Sequence, residues 1–274
     1  MFDKALLKLC LLVILCTTNM LMTGCEKERV MVDGNTAIGE VDVIKIKDKK
    51  ILFTHASVGN NIIQGIEEIL HGIPAGESLT IRKISEEITV EEPGLYHAIV
   101  GRNGYPEKKI AGFRDLVEKQ ALSGSLDVAF MKLCYVDIEA DTDVTKIFSL
   151  YEDTVEYLQG RYPDLTLVHV TTPLYAHGYR LKSRIKSLLL GDVSNVKRNL
   201  YNQMIREKYG KEDFIYDLAE LESTNPDGSR VTFRYKGGTY YSLSKLYTDD
   251  GGHLNKTGRR LAAAELVRVL STIE

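Results

Sequence analysis

Short apolar segments that alternate with amphipathic segments constrain the fold of this chain more than any other feature. From Lys50 onward, candidate buried strands and helices with one apolar face follow each other. The strand candidates are Ile51–Phe53, Leu79–Ile84, Asp127–Leu133, Leu165–Val170 and Phe214–Tyr216. The helix candidates are Asn61–Leu70, Pro106–Leu122, Val144–Leu158, Val196–Tyr209 and Lys256–Ile273, and Val231–Leu243 has the pattern of a β-hairpin. This alternation predicts a three-layer α/β/α fold with a mostly parallel sheet, which places functional residues at the carboxyl ends of the strands.

The N-terminus has the pattern of a bacterial lipoprotein signal. Lys4 and Lys8 precede the apolar run Leu9–Cys16, and Thr23-Gly24-Cys25 follows in the manner of a lipobox. We expect residues 1–24 to be removed and Cys25 to carry the lipid, palmitate included, which would anchor the chain to a membrane of the bacterial cell envelope. An ordinary signal peptide or an uncleaved anchor is the alternative, and each places the domain outside the cytoplasm.

Composition limits the remaining chain. Residues 25–49 are polar and indicate a tether and lead-in, so one domain is expected over 50–274. The net charge of −3 gives no reason to expect nucleic-acid binding. After removal of the signal and acylation of Cys25, Cys134 is the one cysteine left, so no intramolecular disulfide can form. We expect no cofactor and no metal, and we expect the protein to be a monomer.

The first candidate site residue is Ser57, which stands between the first strand and the first helix. A serine at such a turn exposes its hydroxyl at the sheet edge, and the helix N-terminus that follows offers free N–H groups to negative charge. Taken alone, the segment fits a serine that only caps the helix better than it fits a nucleophile. It is not a Gly-x-Ser-x-Gly elbow, because His55 occupies the position of the first glycine.

The second candidate lies in the glycine-containing loop before the last helix. Asp250 and His253 are three positions apart there, which allows the carboxylate to orient the imidazole as a general base requires. Asp249 competes for the orienting role. A helix-capping loop or a metal pair are the alternatives, and the absence of a third ligand cluster in the sequence weakens the metal interpretation.

Together the two segments resemble the SGNH/GDSL hydrolase family, as a divergent subgroup, over about Lys50 to Glu274. The resemblance implies an SGNH-hydrolase-like, flavodoxin-like fold and a Ser57–His253–Asp250 triad. The family's Gly-Asp-Ser-Leu is His55-Ala56-Ser57-Val58 here, so the serine alone matches, whereas Asp250-Gly251-Gly252-His253 fits the late block well.

The resemblance also implies an oxyanion hole built from Ser57, Gly104 and an asparagine. Gly101 is a second candidate for the glycine, and Gly104 is preferred because it directly precedes the helix near Pro106. Val136 occupies the position of the family's asparagine. Asn103 is the expected substitute, with Asn60 and the Tyr135 hydroxyl as alternatives.

The function expected from this resemblance is that of a serine esterase or deacetylase acting on an ester, for which an O-acetyl group of a polysaccharide is one candidate. A polysaccharide O-acyltransferase with the same triad is one alternative. A non-catalytic module that binds envelope glycan on the same fold is the other.

Several further residues have two interpretations. The segment 176–211 contains nine basic side chains against Asp192 and Glu207. It could contact anionic lipid or glycan, or it could be a solvated helical face. His55 could shape the pocket or merely end a strand, His169 is expected in the core, and His97 is expected at the surface or in a loop.

Overall fold

The computed structural model describes residues 30–32, 36–84, 89–123, 126–179, 192–211 and 213–274. Its central feature is a parallel sheet of six strands, with the order β4-β5-β3-β6-β7-β8. The strands are β3 (Lys50–Thr54), β4 (Ile81–Lys83), β5 (Gly94–Ala98), β6 (Val128–Met131), β7 (Thr166–Val170) and β8 (Phe214–Tyr216). Two antiparallel pairs lie outside this sheet, formed by β1 (Val30–Val32) with β2 (Thr36–Ile38) and by β9 (Thr232–Tyr235) with β10 (Gly238–Tyr241).

Helices cover both faces of the sheet. They are α1 (Glu40–Ile46), α2 (Val58–Leu70), α3 (Pro106–Ser123), α4 (Val144–Arg161), α5 (Val193–Tyr209), α6 (Leu218–Glu222) and α7 (Lys256–Ser271). Short 3-10 helices form at Pro74–Ser78, Tyr135–Asp137 and Lys245–Tyr247. Within the described residues, no helix is both long enough and apolar enough to cross a bilayer.

Two apolar cores explain why the central strands contain continuous apolar residues. Successive side chains of a strand point to opposite faces, so Ile51 and Phe53 enter the core under α1, α2 and α7, while Leu52 enters the core under α3, α4 and α5. Phe130 and Ala129 of β6 divide in the same way. The predicted three-layer α/β/α fold with a parallel sheet is confirmed.

Helices α2 and α7 lie directly against each other on one face. A Cβ added to Gly65 of α2 would come within 2.3 Å of the Arg259 carbonyl oxygen in α7. The Arg259 guanidinium also donates from Nε to Glu68 Oε1 over 3.0 Å. The absence of a side chain at Gly65 therefore allows the two helix backbones to approach closely.

Several elements were not expected from the sequence, among them β1, β2 and α6. Residues Glu40–Ile46, which the sequence placed in the tether, form α1 and bury Val43 and Ile46 in the core, so the folded region begins before Lys50. Strand β5 was not predicted, because Gly94 and His97 interrupt its apolar pattern. His97 is 8% exposed rather than on the surface.

The basic segment 176–211 is only partly described, since 180–191 lie outside the described residues. Where it is described, most of its charge is neutralised. Arg198 is 3% exposed and contacts Glu139, Arg206 pairs with Asp217, and Lys208 pairs with Glu152. These three side chains give no support to the interpretation of the segment as a surface for anionic lipid or glycan.

Candidate functional site

Ser57 lies at the carboxyl end of β3, at the centre of the sheet. β3 and β6 are neighbours in the sheet, but the chain runs from β3 to β4 on one side and from β6 to β7 on the other. The carboxyl ends of β3 and β6 therefore form the topological switch point, where open α/β sheets place their sites. Ser57 has φ 53° and ψ −107°, a conformation that L-residues rarely adopt. Gly59 N–H and Asn60 N–H bond to the carbonyls of Ala56 and Ser57. The sharp turn leaves the Ser57 N–H at the start of α2 without an acceptor among the described residues.

The predicted Ser57, His253 and Asp250 are brought together in one hydrogen-bonded chain. Ser57 Oγ lies 2.6 Å from His253 Nε2, and His253 Nδ1 lies 2.6 Å from Asp250 Oδ2. Because a carboxylate can only accept, Nδ1 carries the proton of a neutral imidazole. Nε2 is then free to accept the proton of the serine hydroxyl.

Asp250, not Asp249, orients the histidine. Asp250 Oδ1 also accepts from the backbone N–H groups of Gly252 and His253, each over 2.8 Å. Partial burial opposes ionisation of Asp250, but the hydrogen bonds from His253 and Gly252 outweigh it and lower the pKa of Asp250 to about 2. The carboxylate is therefore charged throughout the neutral range.

Aromatic side chains support the loop that contains Asp250 and His253. The Tyr175 hydroxyl donates to the Asp250 carbonyl oxygen over 3.2 Å. The Tyr135 ring lies edge-on to the His253 ring, with centroids 6.0 Å apart, and a Cβ at Gly252 would come within 2.7 Å of that tyrosine. The loop glycine thus makes room for Tyr135 beside the imidazole.

The three predicted oxyanion residues are placed differently from one another. The Ser57 N–H is available, as described above. The Gly104 N–H donates to Asp137 Oδ1 over 2.8 Å, so the structure contradicts its expected role, because its one donor is already used. Asn103 accepts at Oδ1 from Lys109 Nζ over 2.7 Å, which leaves its amide N–H groups free of that contact.

An open cavity of about 400 Å³ adjoins Gly104 and Val136. Its walls are mainly polar, and they also include Pro106, Glu107, Asp137, Glu139, Asp141, Thr142, Asp143, Lys146 and Ile147. Among the described residues, no group of three or more His, Cys, Asp or Glu side chains is arranged to hold a metal ion.

Sequence reasoning did not identify the pair formed by His55 and His97. His55, two residues before Ser57, is buried against His97 of β5, and His55 Nε2 lies 3.0 Å from His97 Nδ1. Burial, together with the neighbouring His97 and Lys132, lowers the pKa of His55 to about 2, so it is a neutral support of the turn. This pair could have been found from the sequence only if β5, which contains His97, had been recognised as a strand.

His169 is buried, as expected, and its Nδ1 lies 2.9 Å from the Tyr151 hydroxyl.

No known protein-family profile matches the sequence, and a search of curated proteins found no match. Solved structures with a similar course of the chain include the lipase/acylhydrolase from Enterococcus faecalis, with 14% identity, a TM-score of 0.48, and coverage of 82% of this chain and 96% of that one. The acetyl xylan esterase AlAXEase has 17% identity and a TM-score of 0.44, covering 79% and 96%. A member of the lipolytic G-D-S-L family from Veillonella parvula has 11% identity and a TM-score of 0.43, covering 80% and 95%. The chain is thus similar to solved GDSL-type lipolytic proteins and acylhydrolases.

Proposed function

We propose that the protein is an SGNH/GDSL-type serine hydrolase that cleaves carboxylic esters. One observation carries the proposal: Ser57 lies on a strained turn at the switch point of the sheet, with its hydroxyl 2.6 Å from an imidazole that Asp250 orients. A module that only binds ligands has no need of this combination of strain and aligned proton acceptor.

The reaction follows from these contacts. His253 Nε2 removes the Ser57 proton while Oγ attacks the ester carbonyl carbon. The tetrahedral intermediate collapses and expels the alcohol, which takes the proton from His253. Water, deprotonated by the same nitrogen, then attacks the acyl-enzyme, and the carboxylic acid leaves as Ser57 regains its proton. Asp250 remains charged and stabilises the imidazolium that forms in each half.

A short acyl group on a polar alcohol is the substrate class that we propose. The lining of the cavity beside Gly104 and Val136 includes five acidic side chains, one hydroxyl (Thr142) and one ammonium (Lys146). Such a surface favours the hydroxyl groups of a sugar over the chain of a fatty acid. An O-acetyl group on a polysaccharide of the cell envelope or its surroundings is consistent with this lining and with the expected location.

The test is hydrolysis of p-nitrophenyl acetate and of acetylated xylan by the purified protein, compared with Ser57→Ala. Turnover of either substrate that disappears in Ser57→Ala supports the proposal. Equal traces from both proteins on every ester would remove Ser57 as a nucleophile and leave the binding module as the better interpretation. Transfer of acetyl to an added oligosaccharide in preference to water would indicate the acyltransferase.

We further propose that a lipid on Cys25 holds the domain on a bacterial membrane, facing away from the cytoplasm. The support is the sequence pattern alone, since Cys25 lies outside the described residues. Metabolic labelling with an alkyne analogue of palmitate should mark the protein and should fail with Cys25→Ser. Labelling that persists in Cys25→Ser would contradict the assignment.

A further inference from the structure

Two partly buried tyrosines lie beside the His253 imidazole and take no part in the proposed proton transfers. The Tyr135 and His253 ring centroids are 6.0 Å apart, with the ring planes at 76°. The Tyr175 ring lies 5.7 Å from the Tyr135 ring, and the Tyr175 hydroxyl donates to the Asp250 carbonyl oxygen over 3.2 Å. The two tyrosine rings therefore form one aromatic surface next to the imidazole.

Tyr135 extends from the serine turn to the loop before α7. At its backbone end, the neighbouring Cys134 donates from Sγ to the carbonyl oxygen of Ala56, the residue before Ser57, over 3.3 Å. At its other end, the hydroxyl lies against Gly252, where an added Cβ would come within 2.8 Å of that oxygen. The ring therefore spans the distance between the two segments that carry the nucleophile and the imidazole.

Two buried side chains of α5 hold the backbones of both tyrosines. Arg198, 3% exposed, donates from Nε to the Tyr135 carbonyl oxygen over 2.8 Å. Asn195, 0% exposed, accepts from the Tyr175 N–H over 3.0 Å and donates to the Tyr175 carbonyl oxygen over 2.6 Å. Arg198 also donates to Asn195 Oδ1 over 2.9 Å, which joins the two supports. This network fixes the aromatic surface before a ligand arrives, which lowers the entropy cost of binding.

Part of Tyr135 remains available to a ligand. The residue is only partly buried, and no described residue forms a hydrogen bond with its hydroxyl. Burial, followed by the charge of Asp250 and by Tyr175, raises the pKa of Tyr135, so the hydroxyl keeps its proton and can donate at neutral pH. A tyrosine with these properties offers an apolar ring to the C–H groups of a ligand and a donor to its oxygen atoms.

The proposed reaction places the alcohol of the ester on the side of the imidazole. The leaving oxygen takes its proton from His253 Nε2, so it must lie within about 3 Å of that nitrogen. Because the Tyr135 ring lies next to the same imidazole, the group attached to the leaving oxygen comes against this ring. The acyl group is attached to the carbon that Ser57 Oγ attacks, and it does not have to approach His253.

We propose that Tyr135 and Tyr175 form the subsite for the alcohol of the ester, and that this alcohol is a sugar ring. This inference rests on the proposed hydrolase function and adds the residues that select its substrate. The Tyr135 ring packs against the C–H face of the sugar, and its hydroxyl donates to a sugar oxygen. Tyr175 contributes its ring alone, because its hydroxyl is bound to the Asp250 carbonyl oxygen.

The test compares ethyl acetate with an acetylated methyl xyloside, two esters that share the acyl group and differ in the alcohol. The readout is the ratio of kcat/KM for the sugar ester to kcat/KM for ethyl acetate, in which any general loss of triad activity cancels. We expect Tyr135→Ala to lower this ratio by about 10–30-fold, because the sugar loses both the ring and the hydroxyl, whereas ethanol is too small to cover them. Tyr135→Phe keeps the ring and should lower the ratio by about 3–10-fold through the lost hydrogen bond.

Tyr157→Ala, which removes an exposed tyrosine of α4, is the matched control and should leave the ratio within twofold of the parent. Tyr135→Phe preserves the shape of the side chain, so it tests the proposal even if Tyr135→Ala fails to fold. An equal fall in kcat/KM for both esters overturns the inference, because Tyr135 then acts on the reacting atoms or on the fold. A gain in the hydrolysis of ethyl butyrate by Tyr135→Ala also overturns it, because the ring then limits the acyl group.

Failure of this inference can be told apart from failure of the hydrolase proposal. Loss of both activities in Ser57→Ala, combined with an unchanged ratio in Tyr135→Phe, overturns the inference and leaves the hydrolase proposal intact. A parent that cleaves ethyl acetate but not the sugar ester gives the same result. Equal turnover by the parent and Ser57→Ala refutes the hydrolase proposal, and this inference with it.

Discussion

Replacement of Ser57 by glycine should give a more stable protein than replacement by alanine. At φ 53° and ψ −107°, a residue with a Cβ is strained by about 1–3 kcal/mol, whereas glycine adopts positive φ at no steric cost. Glycine loses about 0.5–1 kcal/mol more conformational entropy on folding. The difference leaves roughly 1 kcal/mol in favour of Ser57→Gly.

The two variants are matched, because both lack the hydroxyl that bonds to His253. Chemical unfolding followed by circular dichroism measures their free energies of unfolding. For a protein of this size, about 1 kcal/mol corresponds to a Tm difference of about 2–4 °C. If Ser57→Ala is equally stable or more stable, Ser57 does not have a strained backbone, and the argument that the turn holds a nucleophile is refuted.

Three further predictions concern the orienting carboxylate, a buried acid and the turn that supports Ser57. Asp250→Asn should lower kcat for p-nitrophenyl acetate by about 10⁴-fold without unfolding the protein, because an amide does not hold His253 in the required tautomer; a loss below tenfold contradicts the assignment. Burial raises the pKa of Glu222 from 4.5 to about 8, so the folded protein favours its neutral form, and the stability gained is present below pH 4.5 and lost as the pH rises towards 8. Urea unfolding of the parent and of Glu222→Gln at pH 5 and pH 8 measures this loss. Between these pH values, the free energy of unfolding of the parent should fall relative to that of Glu222→Gln by up to about 1.4 kcal/mol per pH unit. If the two proteins differ in stability by the same amount at both pH values, the burial argument is refuted. Gly59→Ala should cost about 1–3 kcal/mol, because the added Cβ would lie 2.4 Å from the buried His55, whereas Gly160→Ala, which meets no atom within 4 Å, should stabilise helix α4; equal effects would contradict the packing.

The sequence predicted the fold class because apolar runs such as Ile51–Phe53 record burial on both faces of a parallel sheet. It also predicted that Ser57, Asp250 and His253 share a site, because strand-end loops of such a sheet meet at one edge. The distances between these residues could not be predicted, since Ser57 and His253 are 196 positions apart and their contact depends on how α2 and α7 pack.

Other features depended on partners that are distant in the sequence. Gly104 fitted the expected oxyanion position in the sequence, but its N–H is used by Asp137, which lies on another loop. The buried ion pair of Lys109 with Asp137 had no sequence signal, because a lysine in the first turns of a helix is ordinarily exposed. Helix α1 was missed because its apolar residues do not mark a single buried face: Val43 and Ile46 are buried, whereas Val41 and Ile44 are exposed.

The close packing of α2 on α7 makes the site sensitive to partial opening of the domain. Ser57 directly precedes α2, and His253 lies three residues before α7. The hydroxyl that donates the proton and the imidazole that accepts it are therefore each attached to one of these two helices. If α7 detached, the imidazole would leave with it while the strands remained paired. Proteins open in such units at free energies below that of global unfolding. Enzymatic activity would then report the docking of a single helix, and it would decline at lower denaturant concentrations than the signal from the sheet.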